Sequence, residues 1–449
     1  MKLFKNFYKT VTLLGIFVII GTGCEVFDIE DKPDPNNIAL DGVVNNPTEA
    51  DIAQLVAGTL SAIREPVEQY FVDVGMVGRE MYRFLQAEPR FTQDLMGGGN
   101  AVLDAGSFYI TNPWAEFYTN IRMTNIIIEA VSGDIEGLTQ ESANGASGFA
   151  KTIKAYQYLL ALNLTNENGV VQQNQADISE VGQLLTKSES FDLINRLLDE
   201  AATELNNAGD SFGFALPAGF EGFNDPAGFR EFNRGLRARV AAYVEDWPAV
   251  NSALQESFID ANGSLETGVF HDFTNDPNDI SNPIFADPQS GRGDSWVAHP
   301  DWVPDAESDD QRVDDKVVER NSIARLDGLE SDFGLFVYKT ITSPIPIMRN
   351  AELLLLRAEY NINKSSPDLD AAQDDINVIR NTAGLPDFGG QETQQALLDE
   401  VLNQRRYELF LEGHRWVDMR RYNRLDELPK DRNGDNVWPS FPIPENENL

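Results

Sequence analysis

The sequence predicts a mainly α-helical protein: helical hairpins packed side by side, with one long irregular insertion forming a separate face. Three observations lead there. Several stretches place apolar residues at offsets of 3, 4, 7 and 11, the spacing of one helix face. The helices so marked fall in adjacent pairs with short connections. Between two such pairs lies a stretch rich in Asp and Pro that carries no helical period.

The chain has 449 residues and a formal net charge of −37. That charge argues against nucleic acid, where Lys and Arg must neutralise phosphates, and against a polybasic anchor on anionic lipid. With 26 Phe, 12 Tyr and 6 Trp there is ample material for a folded core. A single cysteine excludes an internal disulfide and any cysteine-based metal cluster; three histidines without an HExxH pattern give no zinc motif. No metal or cofactor site is expected.

Residues 1–23 read as an export signal. Lys2, Lys5 and Lys9 form a positive start, and Val11 to Ile20 is an apolar run too short to span a bilayer. Gly21, Thr22 and Gly23 are small and precede Cys24. A cysteine in this place resembles a bacterial lipoprotein signal, in which the thiol is acylated and the chain is cut before it. Residues 24–46, with Glu25, Asp28, Glu30, Asp31, Pro33 and Pro35, read as an acidic, extended tether. The remainder, 47–449, is expected as a single domain with a helical part (47–260), the irregular insertion (262–345) and a C-terminal region (346–449).

The helical signals come in order. Ile153, Tyr156, Leu160 and Leu164 mark one face; Ile194, Leu198, Ala201 and Leu205 a second. Leu236, Val240, Tyr243 and Trp247 predict a helix over 229–246, and Pro248 suits the first turn of a partner over 248–260, where its missing N–H goes unnoticed. Helices are predicted over 346–362 and 370–383, with Ala358 and Ala372 small enough for close approach. These pairs look like tetratricopeptide-type hairpins without a fixed period. Within the insertion a short strand is expected at Leu335–Tyr338. Asp431 to Asp435 reads as an Asn-Gly turn rather than a calcium loop, because the glycine and closing glutamate such a loop needs are missing.

The C-terminal third adds linked motifs: Arg349 to Ala358; Asn377-Val378-Ile379-Arg380 with Ala383-Gly384-Leu385; Arg406-Tyr407-Glu408-Leu409; Glu412-Gly413-His414-Arg415-Trp416 with Asp418 and Arg420; and the closing Phe441-Pro442-Ile443-Pro444. In this order they resemble the SusD/RagB family of outer-membrane nutrient-binding lipoproteins. Upstream, Trp114, Tyr118, Ile121 and Asn125, and the stretch from Gly235 to Trp247, resemble two of that family's helix signatures. The resemblance implies an all-α SusD-like core of tetratricopeptide-type hairpins whose long loop insertions form a ligand-binding face. It implies a lipid-anchored outer-membrane protein facing the cell exterior. Its partner would be a SusC-like TonB-dependent transporter, its ligand an oligosaccharide or a peptide, and its action binding rather than catalysis. A secreted glycoside hydrolase is the alternative from a different class, and would need two carboxylates facing across a cleft.

Two groups of candidate ligand contacts follow. Aromatic faces stack on sugars, and Trp296 and Trp302, with His299 between them, lie on the acidic insertion. Arg79, Tyr82, Arg83 and Arg90 form a dense polar and aromatic run in an otherwise acidic chain, in a region from which the resemblance implies ligand contacts. Along 405–421, Arg405/Glu408, Glu412/Arg415 and Asp418/Arg421 stand three apart, a spacing that predicts helical ion pairs locking the chain end onto the scaffold.

Overall fold

A computed structural model describes residues 47–133, 137–174, 182–291 and 293–447. The export signal, Cys24 and the tether lie outside them.

Helix starts follow local chemistry. Helix α1 (Glu49–Ala62) opens on a reciprocal capping box between Thr48 and Asp51. Helix α2 (Val67–Val77) leads into strand β1 (Met81–Leu85). Helices α3 (Phe108–Ala130) and α4 (Gln140–Thr165) form the first long pair. Nearly every residue of α4 from Gly148 onward is buried, which makes it the central helix, covered on all sides. Gly148 lets α5 approach: an added Cβ would lie 2.7 Å from Leu205. Strands β2 (Val171–Gln172) and β3 (Gln183–Leu184) form a small ribbon before α5 (Lys187–Leu205), which starts on a second capping box, Thr186 with Glu189. Helices α6 (Pro226–Tyr243) and α7 (Trp247–Gln255) each carry Pro in the first turn and an Asp cap, Asp225 and Asp246.

The stretch expected to be irregular supplies most of the strands. They are β4 (Gly268–His271), β5 (Asp294–Ala298), β6 (Val317–Leu326), β7 (Leu329–Leu335) and β8 (Ile345–Arg349), with short helix α8 (Gln311–Lys316) before β6. An antiparallel sheet runs β1-β5-β7-β6, and β4 pairs with β8. Two expectations are corrected. The strand placed at Leu335–Tyr338 ends at Leu335, because the β6–β7 hairpin turns at Asp327 and Gly328, both at positive φ (53° and 81°). This is the two-residue Asp-Gly turn whose twist suits a hairpin. The helix predicted from 346 begins at Asn350: Pro346 sits in β8, and Arg349 stays extended at φ −139°.

Helices α9 (Asn350–Asn363), α10 (Leu369–Thr382) and α11 (Gln394–Glu408) enclose a second core of Leu354, Leu355, Ile376, Ile379, Leu397 and Val401, with Ala351, Ala358 and Ala372 at the close approaches. Helix α10 stops at Gly384 (φ 79°), where the Leu385 N–H returns to the Arg380 carbonyl. Helix α12 (Arg415–Arg421) completes the chain of elements. The described residues cluster as one unit. Among the described residues no helix is long and apolar enough to cross a membrane.

The charged C-terminal run does lock the chain, through one of the three pairs its spacing predicts and through other partners for the rest. Asp418–Arg421 forms at 3.1 Å. Arg405, however, pairs with Asp418 at 2.6 Å, while Glu408 and Glu412 both take Arg349, at 2.6 and 2.8 Å. The reason is a break in the helix: Leu411 and Gly413 hold positive φ, so 405–408 and 415–421 lie on separate helices. Burial raises the Glu408 carboxyl, but Arg349, Lys316 and Arg312 outweigh that and hold it down at about 2. The end of the chain is tied in the same way. Trp416 donates its indole N–H to the Trp438 carbonyl at 2.8 Å, Trp438 to that of Asp94 at 2.8 Å, and the Phe441 N–H reaches the Leu164 carbonyl at 2.8 Å. Asp431–Asp435 is a turn, with Gly434 at φ 99° and Arg432 paired to Asp435 at 2.9 Å.

Candidate ligand-binding face

Side chains alternate across a strand, so the register of β1 against β5 decides which candidates share a face. Arg83 stands opposite Trp296, and Leu85 opposite Asp294. Tyr82 pairs with Val297 and so points to the other side. The sheet thereby divides the sequence candidates into an outer group and an inner one.

On the outer face the Arg83 guanidinium lies between two rings, 4.5 Å from the centre of Trp296 and 4.9 Å from that of Phe91. Its nitrogens donate to Glu68 at 2.7 Å and to Asp294 at 3.2 Å. Arg83 is thus paired with two carboxylates, and it covers one face of Trp296. Both carboxylates keep 39% of their side-chain surface exposed. Arg90 stacks at 4.6 Å on Phe108, bonds Glu88 at 2.6 Å and Ser107 at 3.0 Å, and leaves 44% of its side chain in solvent. The face therefore offers exposed carboxylate acceptors and guanidinium donors on aromatic supports, a combination suited to hydroxyl-rich ligands.

The inner group is buried. Tyr82, His299 and Trp302 have no exposed surface, and Arg79 keeps 3%. His299 contacts Asp431 at 2.9 Å and stands 5.2 Å from the Tyr82 ring. Arg79 donates to the carbonyls of Pro429 at 3.0 Å and Asn436 at 2.7 Å. Trp302 packs on Phe410 at 4.4 Å and Tyr407 at 5.0 Å. In this structure these four side chains present nothing to solvent; they fasten β1 and the segment after β5 to the last third of the chain. Trp296 itself keeps 7% of its surface, so its outward contribution is an edge rather than an open ring face. The sequence reading passed over Glu68 and Phe91, which lie outside β1 and β5 and reach the site only through the fold. The β1–β5 pairing that faces Arg83 to Asp294 and Trp296 leaves no local trace in the sequence either.

Beneath the sheet, Glu80 is buried, with one carboxylate oxygen accepting from the Leu411 N–H at 3.3 Å and the other unpartnered. Burial raises this carboxyl from 4.5 to about 8. Between those values the folded protein keeps a proton that the unfolded chain has released, so this group lowers stability as pH rises through that window. Glu80→Gln removes the titration. Its stability relative to wild type is expected to increase from pH 5 to pH 9, and urea unfolding of both proteins at the two values checks this; a constant difference would contradict it.

Residues 337–440 match the model of the SusD family. No curated protein sequence matches the chain. Among solved structures, a SusD superfamily protein from Bacteroides vulgatus superposes with a TM-score of 0.68 at 16% identity, over 89% of this chain and 96% of that one. A laminarin-binding SusD-like protein gives 0.65 at 16% identity, over 89% and 97%. A SusD-like carbohydrate-binding protein from Bacteroides vulgatus gives 0.63 at 18% identity, over 84% and 83%. The chain thus shares the fold of these proteins along most of its length, and its residues 337–440 match the SusD family model. The resemblance seen in the C-terminal motifs agrees with that match, and the fold is SusD-like.

Proposed function

We propose that this protein is an outer-membrane lipoprotein, anchored through Cys24 and facing the cell exterior, that captures an oligosaccharide and passes it to a SusC-like TonB-dependent transporter. The observation that carries the reading is the coincidence of the family's C-terminal region with a fold shared, over nearly the whole chain, with carbohydrate-binding SusD-like proteins. The ligand meets the outer face of β1 and β5 at Arg83, Arg90, Asp294, Glu68 and the edge of Trp296. A neutral glycan suits it better than an acidic one, since the chain carries a net charge of −37. The protein binds and does not turn its ligand over: Glu68 and Asp294, the exposed carboxylates of this face, are both committed to Arg83.

Two measurements test this. A mild-detergent pull-down of the full-length protein from its native membrane is expected to bring down a stoichiometric β-barrel; recovery of the protein alone would remove the transporter from the reading. In calorimetric titration with neutral oligosaccharides, the double variant Arg90→Ala/Trp296→Ala is expected to lose about tenfold in affinity, the scale of one or two hydrogen bonds and a stacking edge. Unchanged affinity in a folded variant would place the ligand elsewhere.

A further inference from the structure

A cavity of about 620 Å³ lies among the end of α4, the start of α5, the turn after α6 and the end of α12. Its size falls within the range of small-molecule sites. Arg420, Arg421, Lys187, Tyr243, Glu245 and Asp426 are among its lining residues. Most of the charges are already spent. Lys187 is neutralised by Glu167 at 2.7 Å, and Arg421 by Glu359 and by Asp418 at 3.1 Å.

Arg420 is different. It lies 4.3 Å over the Trp416 ring and donates to the carbonyls of Pro439 at 3.2 Å and Asn163 at 2.9 Å, and among the described residues it has no carboxylate partner. A guanidinium has five N–H donors, so those two bonds leave others unspent at the cavity. Burial draws the group down to about 10, against the pull of Tyr70, Tyr243 and Glu167. On the exposed rim, Glu245 and Asp426 have no ion-pair partner among the described residues. Three lining residues, Asn166, Glu245 and Asn423, hold positive φ of 48°, 58° and 55°, a costly concentration for side chains other than glycine.

A half-buried cation without a carboxylate partner and two unpaired carboxylates, all lining one cavity, are complementary to a ligand bearing both charges. We propose that this cavity binds a small zwitterion, its carboxylate on Arg420 and its ammonium toward Glu245 and Asp426. A free anion would meet the repulsion of a chain with net charge −37, whereas a zwitterion carries no net charge across that field. The site is separate from the oligosaccharide face, and neither reading depends on the other.

The test is calorimetric titration of the full-length protein in mild detergent with alanine, tri-alanine, N-acetyl-tri-alanine, tri-alanine amide and a neutral trisaccharide. At least one unblocked zwitterion is expected to bind, with either blocked peptide weakened about tenfold or more, the effect of losing one charge-assisted contact. Binding of alanine identifies free amino acids as the source; binding of tri-alanine alone identifies a longer separation of the two charges. Arg420→Gln is expected to abolish binding. Glu245→Gln/Asp426→Asn, confined to the exposed rim and so independent of folding, is expected to erase the preference for a free amine. The proposal is overturned if no unblocked zwitterion binds at 10 mM, roughly the weak limit of a specific small-molecule site. Equal binding of blocked and unblocked peptides, or full binding by the rim variant, would overturn it too.

Discussion

Arg349→Met is expected to destabilise the protein by about 3–5 kcal/mol, the scale for removing one member of a buried ion cluster. Arg349 is 2% exposed and sits at the junction of β8 and α9. It binds Glu408 at 2.6 Å, Glu412 at 2.8 Å and Glu266 at 3.3 Å. Methionine fills a similar volume, so the loss reads charge rather than cavity. Glu408 and Glu412 are then left buried with less compensation, and Glu408 loses the first of the charges holding it at about 2. Adding Glu408→Gln is expected to restore part of the stability, because it removes an orphaned carboxylate rather than a contact. Urea unfolding of the single and double variants measures both effects. A single variant within about 1 kcal/mol of wild type would make this cluster no more consequential than a surface pair.

Trp302→Ala is expected to cost about 3–5 kcal/mol, as large-to-small changes in a closed core do. The ring is fully buried against Tyr407 and Phe410, and its own carbonyl accepts from the Tyr407 hydroxyl at 3.1 Å. The change opens a cavity where the segment after β5 meets α11. Thermal unfolding should show the loss directly. In the fraction that remains folded, oligosaccharide affinity should stay within about twofold of wild type, a difference of less than 0.5 kcal/mol. A tenfold loss of affinity without loss of stability would instead make Trp302 a ligand contact.

The two tryptophans of the insertion show where sequence reading reached its limit. Trp296 and Trp302 stand six residues apart in the same polar stretch, and nothing local separates them. The pleat of β5 turns Trp296 toward the outer face, while the turn that follows carries Trp302 under α11. Arg79 and Arg83 part in a similar way: Arg79, at positive φ before β1, reaches the carbonyls of the C-terminal segment, and Arg83 stacks outside. The Asp327-Gly328 turn was, by contrast, a legible hairpin signal between two stretches of mixed polar and apolar residues; the acidic composition around it masked the strands.

What the sequence determined alone was local. Helical faces, Asp and Thr caps, prolines in first turns and Gly384 past the end of α10 depend on neighbours within one or two turns, so their pattern survives in one dimension. The ordered C-terminal motifs pointed to the SusD family, whose model matches residues 337–440. The tertiary structure decided the rest. It placed β1 beside β5, more than two hundred residues later in the chain. It directed Glu408 and Glu412 to Arg349 instead of to their helical neighbours, and it left Arg420 at a cavity with no ion-pair partner among the described residues. Those outcomes depend on which surfaces are driven together when apolar area is buried, and on which charges then find partners before water is excluded. Neither is encoded at any fixed spacing along the chain.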